Sequence, residues 1–199
     1  MEKEVYVIGN KVEIPDDVFV SKHESDGILV FVGKMNYEPN VIAVTWFAER
    51  ILPQLLVTYP NLQFQIVGAH PEKRIQRLSD KPNIQVTGFV ESIEPYFQRA
   101  TIVVAPMLTG AGIQNKIIQA MSYGCCVVTT PIGAEGLTIN HNEIAVWDSE
   151  SEMIGGIANL LANYDKRIEM GKSARQYVID NLSTEVISRQ FWAFMDGVK

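Results

Sequence analysis

Cysteine and long hydrophobic runs are both scarce in this chain of 199 residues. Its two cysteines, Cys125 and Cys126, are sequence neighbours in an apolar stretch, where a disulfide between them would be strained. Reduced core cysteines are typical of a cytoplasmic protein. No apolar run approaches the roughly 20 residues that a membrane span needs, and the charged start, MEKE, is unlike a signal peptide. The sequence therefore predicts a cytoplasmic location and no integral membrane segment.

Patterns for metal or nucleic-acid binding are lacking as well. No CxxC or HExxH spacing occurs, and His23, His70 and His141 have no neighbours that form a catalytic triad. The formal net charge of −6 argues against nucleic acid or an anionic membrane as a partner, while allowing a local basic pocket. We therefore predict no metal, no cofactor and no nucleic-acid partner. His70 could line a pocket, although a solvated loop position is favoured.

What the chain does contain is a regular alternation of short apolar runs and helix-like stretches. Such alternation favours right-handed βαβ units, and strands that are apolar throughout need helices on both faces of their sheet. We expect an α/β fold with a doubly wound parallel sheet, followed by a helical tail from about residue 151. The six predicted strands of the sheet are residues 28–32, 62–67, 83–87, 101–105, 125–129 and 143–147. Residues 5–8 could form a separate strand, and helices are predicted over residues 41–59 and 112–123.

The segment over residues 106–116, PMLTGAGIQNK, is the richest in chemistry. A predicted strand ends there, a glycine loop follows, and a helix begins with Lys116 in its first turns. Gly110 and Gly112 let backbone amides approach an anion, and the helix start adds positive charge. This arrangement indicates a diphosphate site, and a solvated lysine on an ordinary glycine-rich connection is the alternative. The Gly-Lys-Ser/Thr ending of a Walker loop is missing.

Other strand ends carry further candidates, because ligands of such sheets bind beyond the carboxyl ends of the strands. Lys34, after Gly33, could reach the same phosphates or be solvated, and Asn40 could cap the helix that follows. The loop at Gly33 lacks GxGxxG, which argues against a dinucleotide-binding oxidoreductase. Gln119 shares a helix face with Lys116 and could bind a ribose hydroxyl, unless it is merely exposed.

Two more turns follow later strands. The backbone beside Phe89 and Val90 could read the edge of a base, whereas core packing is the ordinary role of such residues. Glu135, in the turn GAEGL, could meet a sugar hydroxyl or lie on the surface.

Several segments together resemble a known family: FVGKMNYEPNVIAV, FQIVGAHP and the long run from NIQVTGFV to GAEGL. In order and spacing they are similar to the carboxy-terminal, donor-binding domain of retaining glycosyltransferases of the GT-B fold, family 4 or group 1. The resemblance covers about residues 28–195. It implies a hexosyltransferase-like enzyme whose donor is a nucleotide diphospho-sugar.

The resemblance also implies roles for individual residues. Lys116 would be catalytic, stabilising negative charge on the departing diphosphate without a metal. The donor-binding residues would be Gly33, Lys34, Phe89, Val90, Gly110, Gly112, Ile113, Gln119 and Glu135. The family often carries two glutamates eight positions apart, and Ala111 and Gln119 stand there instead. A neutral ribose contact would be weaker by about 1 kcal/mol.

GT-B enzymes have two facing α/β domains, and only one is expected here. Residues 1–25 would be a linker remnant, 26–182 the nucleotide-sugar-binding domain and 183–199 a helix that crosses to the missing acceptor domain. The apolar residues of that helix would then be partly exposed, and the fragment alone would be nearly inactive. Two alternatives stay open: half of a sugar-nucleotide epimerase, or a GT-B-like scaffold without catalysis.

Overall fold

The computed structural model describes residues 12–15, 27–140 and 142–197. The linker predicted over residues 1–25 lies outside the described residues except for 12–15, as does a strand predicted over 5–8. His23 and His141 lie outside them too. Within the described part, Val12 forms a parallel bridge with Ser183, and its amide donates to the Leu182 carbonyl at 3.2 Å.

The described residues form one six-stranded sheet in which every pairing is parallel, in the order β3-β2-β1-β4-β5-β6. The predicted fold class and the six predicted strands are confirmed, although the last two strands are shorter than expected. The strands are β1 Ile28–Val32, β2 Gln63–Val67, β3 Ile84–Gly88, β4 Ile102–Ala105, β5 Val127–Thr129 and β6 Ala145–Val146.

Helices connect these strands and form the tail. The first is continuous over Glu38–Thr58 and includes a π-helical segment, Phe47–Ile51. Pro53 follows this segment and has no backbone N–H to donate to the preceding turn, as a regular α-helix would require. A short 3₁₀ turn, Arg77–Asp80, extends the third helix. The α-helices are α1 Glu38–Trp46, α2 Leu52–Thr58, α3 Lys73–Gln76, α4 Glu94–Arg99, α5 Asn115–Ser122, α6 Glu150–Ala162, α7 Tyr164–Leu182 and α8 Thr184–Gly197.

Two helix starts differ from the sequence prediction for local reasons. The first helix begins at Glu38 and not at residue 41, because Pro39 suits the first helical turn. Helix α5 begins at Asn115 and not at residue 112, because the φ angle of Gly112 is 71°, a left-handed conformation that a right-handed helix cannot contain. The glycine loop is therefore three residues longer than predicted.

Apolar cores lie on both faces of the sheet, as the strands predict. One core packs Phe31 and Phe64 of the sheet against Phe47, with the rings of Phe47 and Phe64 4.9 Å apart. The other packs Val30 and Val103 against α4, α5 and α7. Each fully buried side chain of this size contributes about 1.5–3 kcal/mol relative to an exposed one.

One helix among the described residues, Glu38–Thr58, has the length and mean hydropathy of a membrane span. Its residues Val44, Phe47 and Ile51 are fully buried against the sheet. A core helix of a folded domain has this same composition, so the segment does not by itself indicate a membrane.

The tail ends in a helix with an exposed aromatic face. Phe191, Trp192 and Met195 are 43%, 62% and 45% exposed and Phe194 is half-buried, so these four residues are partly exposed, as predicted. Ile187, near the start of the same helix, packs against the second core. The division of the chain at residues 25 and 182 stays a prediction.

Helix α6 offers a matched test of the packing, because its two adjacent glycines have different surroundings. A Cβ atom on Gly155 would meet no atom within 4 Å, whereas one on Gly156 would lie 2.2 Å from Cζ2 of Trp147. The Trp147 indole packs against the first core and cannot move freely.

We expect Gly155→Ala to raise the free energy of unfolding by about 0.5–1 kcal/mol, since alanine favours helix over glycine. Gly156→Ala should lower it by about 1–3 kcal/mol through overpacking against Trp147. Urea denaturation followed by circular dichroism measures both changes. Equal changes in the two variants would show that the Trp147 contact does not constrain α6.

Candidate functional site

The carboxyl ends of β1 and β4 form the candidate site. These strands are neighbours at the centre of the sheet, but the chain leaves β1 toward β2 on one side and β4 toward β5 on the other. Such a switch point leaves a crevice where ligands of doubly wound sheets bind. Three segments border it: the first loop (residues 33–37), the glycine loop (residues 106–114) and the third loop (residues 130–140).

Lys116 points back into this crevice from the start of α5. Its Nζ atom donates to Oδ1 of Asn40 at 2.7 Å and to Oε1 of Gln114 at 3.1 Å. The same atom lies 3.5 Å from Sδ of Met107 and 5.4 Å from the centroid of the Phe31 ring. The lysine is therefore held at the switch point, which differs from the solvated lysine of the alternative interpretation.

The electrostatics of Lys116 are unusual because all of these partners are neutral. Burial lowers the pKa of its ammonium group to about 8, from an ordinary value of 10.5. Within the described part of the chain, the ion pairs of Arg50 and Arg74 lie elsewhere, and none includes Lys116. The crevice thus holds a partly desolvated cation without a carboxylate partner, which favours an anionic ligand.

Asn40 connects this lysine to the first loop. The prediction that Asn40 caps the first helix is wrong: the N-cap is Tyr37, and Asn40 lies within the first turn. Its side chain is 4% exposed and turns inward, and Nδ2 donates to the Lys34 carbonyl at 3.0 Å. Sequence reasoning missed this role, since a helix-start asparagine is ordinarily a cap.

The first loop itself is pressed against the end of β2. A Cβ atom on Gly68 would lie 1.7 Å from the carbonyl oxygen of Gly33, and the φ angle of Gly68 is 151°, so glycine is required there. The Gly33 amide donates to the Val67 carbonyl at 3.0 Å. Lys34 itself is exposed.

The glycine loop meets the third loop through Glu135. The Gly112 amide donates to Oε2 of Glu135 at 3.1 Å, and Gly110 and Ala111 are exposed beside it. Ile113 is half-buried beside Gly136, where a Cβ atom would lie 2.8 Å from Cγ1 of Ile113. The structure thus places Glu135 on an amide of the loop that the sequence assigns to a diphosphate.

Hydroxyl groups at the end of β5 hold the third loop in place. Oγ1 of Thr129 donates to the Ala105 carbonyl at 2.7 Å, and Oγ1 of Thr130 donates to the Met107 carbonyl at 2.5 Å. The Gly133 amide donates to Oγ1 of Thr130 at 3.2 Å. In the sequence these hydrogen bonds are indicated only by two adjacent threonines, at the end of the predicted strand and just after it. A threonine in such a position does not reveal which carbonyl it will bind.

The remaining predicted residues lie along the same edge of the sheet. Gln119 is half-buried, one helical turn after Lys116. Phe89 is 76% exposed and Val90 half-buried at the end of β3, two strands from β1 and so roughly 10 Å from it. His70 is exposed, with a φ angle of 57°. The donor-binding roles of all these residues stay predictions.

Acidic and thiol groups do not cluster for metal binding in the part of the chain that the structure describes: no three His, Cys, Asp or Glu residues lie close enough to hold one ion. The two cysteines are buried in the core, and burial raises the pKa of Cys126 to about 12 and that of Cys125 further.

Comparison with known proteins places this chain in one family. Residues 26–163 match the model of a family described as glycosyl transferases group 1. A curated relative from Klebsiella pneumoniae, described as an uncharacterized 44.6 kDa protein in the cps region, is 24% identical over 171 residues. That alignment covers 80% of this chain and 43% of the relative.

Solved structures share the fold. S. aureus TarM, crystallised with fondaparinux, alpha-GlcNAc-glycerol and UDP, superposes with a TM-score of 0.78 at 19% identity, over 96% of this chain and 39% of TarM. The carboxy-terminal domain of LpcC, a group 1 family glycosyl transferase from Francisella tularensis, gives a TM-score of 0.64 at 16% identity. It covers 79% of this chain and 87% of that domain. The chain thus spans less than half the length of TarM and of the Klebsiella relative.

The lowered pKa of Lys116 makes the stability of the fold depend on pH. Between pH 8 and pH 10.5 the unfolded chain binds more protons at this lysine than the folded chain does, so stability rises with pH there. We expect the free energy of unfolding of the wild type, minus that of Lys116→Met, to rise by about 1–3 kcal/mol across this window. Denaturant titrations at several pH values measure the difference.

Lys172→Met is the matched control, because Lys172 is an exposed lysine on α7. Its difference from the wild type should not change over the same pH range. A flat difference for Lys116→Met as well would mean that the folded protein does not desolvate the Lys116 ammonium group.

Proposed function

The chain belongs to the group 1 glycosyl transferases, and on that premise we propose that it is the donor-binding domain of an enzyme that transfers a sugar from a nucleotide diphospho-sugar to an acceptor. In this proposal a second domain of the whole protein binds the acceptor. The chain spans less than half of the larger relatives, which leaves room for such a domain in proteins of their size.

The observation that carries the proposal is the Lys116 ammonium group among neutral partners at the switch point. A cation that is partly desolvated and lacks a counter-ion gains most from a ligand with several negative charges. A diphosphate has such charges, and its oxygens accept hydrogen bonds from amides and ammonium groups alike. Gly110 and Gly112 lie in the glycine loop that precedes the start of α5, and their backbone amides are proposed to bind the same diphosphate.

These groups would also assist the reaction itself. Sugar transfer breaks the bond between the anomeric carbon and a phosphate oxygen, and the diphosphate leaves with an extra negative charge. In this proposal Lys116 is in place before this charge develops and needs little rearrangement to stabilise it. The Gly112 amide would join it once Glu135 turns away. Lys116 is therefore the proposed catalytic residue, in a role that does not call for a metal.

Glu135 is proposed to lie between the diphosphate and the transferred sugar of a bound donor. Its carboxylate now accepts from the Gly112 amide, and a bound diphosphate would repel it from that amide. The nearest suitable partners are then the hydroxyl groups of the transferred sugar, which accords with the role predicted from the turn GAEGL. Gln119, on the same helix face as Lys116, is proposed to bind the ribose through a neutral hydrogen bond.

Two residues favour a second candidate, a scaffold of the same fold that lacks catalysis. Ala111 and Gln119 stand where the resemblance places two glutamates. Such a scaffold could retain nucleotide binding through Lys116, so binding and turnover must be measured separately. The cytoplasmic location and the absence of a cofactor stay predictions.

Isothermal titration of UDP and of GDP into the 199-residue chain tests the diphosphate site. UDP is a reasonable first ligand because TarM was crystallised with it. We expect Lys116→Ala to weaken binding of the preferred nucleotide at least tenfold at pH 7.5, since a charge-assisted hydrogen bond of about 1.5–3 kcal/mol is lost. Wild-type affinity should also decline as the pH rises past about 8, where Lys116 loses its proton.

Lys172→Ala removes an exposed lysine from α7 and should bind as the wild type does. Equal affinity in Lys116→Ala and the wild type would reject the proposed site. Binding without sugar transfer by the whole protein would instead favour the scaffold.

A further inference from the structure

We propose that Asn40 is the positioning residue of the donor site, whose neutral side-chain amide orients Lys116 while leaving the charge of the lysine available to the diphosphate. The inference rests on the proposed function, because it explains how the cation at the switch point is kept ready for an anion. It assigns a role to a residue outside the predicted donor-binding set.

The geometry of Asn40 uses both ends of its amide. Nδ2 donates to the Lys34 carbonyl at 3.0 Å, which turns Oδ1 toward Nζ of Lys116 at 2.7 Å. The side chain is 4% exposed, so neither bond is readily replaced by water. A side chain that donates to a carbonyl and accepts from an ammonium group without carrying charge can be an amide, a hydroxyl or a neutral imidazole, and the amide of Asn40 spans this gap.

The packing around Asn40 fixes this orientation. A Cβ atom on Gly33 would lie 2.6 Å from Nδ2 of Asn40, so the absence of a side chain at Gly33 makes room for the amide. Asn40 therefore joins three elements: the first loop, the first helix and, through Lys116, the start of α5. A displaced amide would release Lys116 from the position that it holds over the Phe31 ring.

The neutrality of Asn40 matters because of what else faces Lys116. The ring of Phe31 faces it from β1, and Met107 and Gln114 face it from the glycine loop, all without charge. The charged groups on the bordering loops are Lys34, which is exposed, and Glu135, which accepts from the Gly112 amide.

An aspartate at position 40 would have nearly the same shape and the opposite effect. Its carboxylate would pair with Lys116, raise the pKa of the lysine from about 8 toward its ordinary value, and compete with the diphosphate for the same ammonium group. It would also lose the bond to the Lys34 carbonyl, because a carboxylate cannot donate. Charge at this position, and not only shape, should therefore determine donor affinity.

The test measures the affinity for UDP or GDP, whichever binds the wild type, from pH 7.5 to pH 9.5. We expect Asn40→Asp to bind roughly tenfold more weakly at pH 7.5, which corresponds to one carboxylate competing for one cation. Its affinity should stay constant up to pH 9.5, because Lys116 remains protonated. The wild type should lose affinity above pH 8 over the same range.

Asn83→Asp is the matched control. Nδ2 of Asn83 also donates to backbone carbonyls, of Pro60 at 3.0 Å and Leu62 at 2.9 Å, but beside the amino ends of the strands. This variant should keep the affinity and the pH profile of the wild type even if it is less stable. Loss of affinity in both asparagine variants would assign the effect to folding and overturn the inference.

Asn40→Ala provides a second test should Asn40→Asp fail to fold. Because Lys116 then loses its Asn40 acceptor and keeps that of Gln114, it should lose its proton at a lower pH, so affinity should begin to decline below pH 8 and be several-fold weaker at pH 7.5. If the Asn40 variants that fold bind with the affinity and pH profile of the wild type while Lys116→Ala still weakens binding, the inference about Asn40 is overturned and the proposed function is not. Wild-type binding by Lys116→Ala would reject the proposed function and, with it, this inference.

Discussion

A half-buried ammonium group that is surrounded by neutral acceptors is the interaction on which the site depends. Nζ of Lys116 sits between Asn40 and Gln114, at the point where β1 and β4 send the chain in opposite directions. A carboxylate at this point would have stabilised the cation more, but it would also have neutralised the positive charge that an anionic ligand needs. The neutral partners hold the lysine in position but do not offset its loss of hydration, since burial lowers its pKa. A bound anion would offset that loss. The chain belongs to the group 1 glycosyl transferases, and a diphosphate is the anion that we propose for this site.

The rest of the fold determines where this group lies. Two apolar cores hold helices on both faces of the sheet, so the starts of the first helix and of α5 converge on the same edge. The close approach of Gly33 and Gly68 keeps the first loop against the end of β2. The hydroxyl groups of Thr129 and Thr130 hold the third loop against the end of β4. These contacts hold the loops that border the site, which suits groups that must be in place before charge develops.

The sequence predicted most of the architecture and less of the site. Strand positions and the parallel sheet followed from apolar runs, because burial on both faces leaves a simple local pattern. The start of α5 was predicted three residues early, since a glycine in a right-handed helix and one in a left-handed loop look alike in the sequence. Asn40 was expected to be a helix cap, and the structure instead turns its amide toward Lys34 and Lys116. Contacts between residues 76 positions apart leave no local pattern to find.

The sequence by itself determined that the chain forms a doubly wound sheet and that glycines and a lysine stand together after its fourth strand. Hydrophobic periodicity and backbone freedom are properties of residues that are close in the chain, so they can be recognised from the amino-acid sequence alone. Only the tertiary structure decided that Lys116 faces Asn40 and not solvent, and that Glu135 reaches the Gly112 amide. The physical reason is that burial, hydrogen bonding and the pKa of a charged group depend on which distant residues surround it, and packing alone brings those residues together.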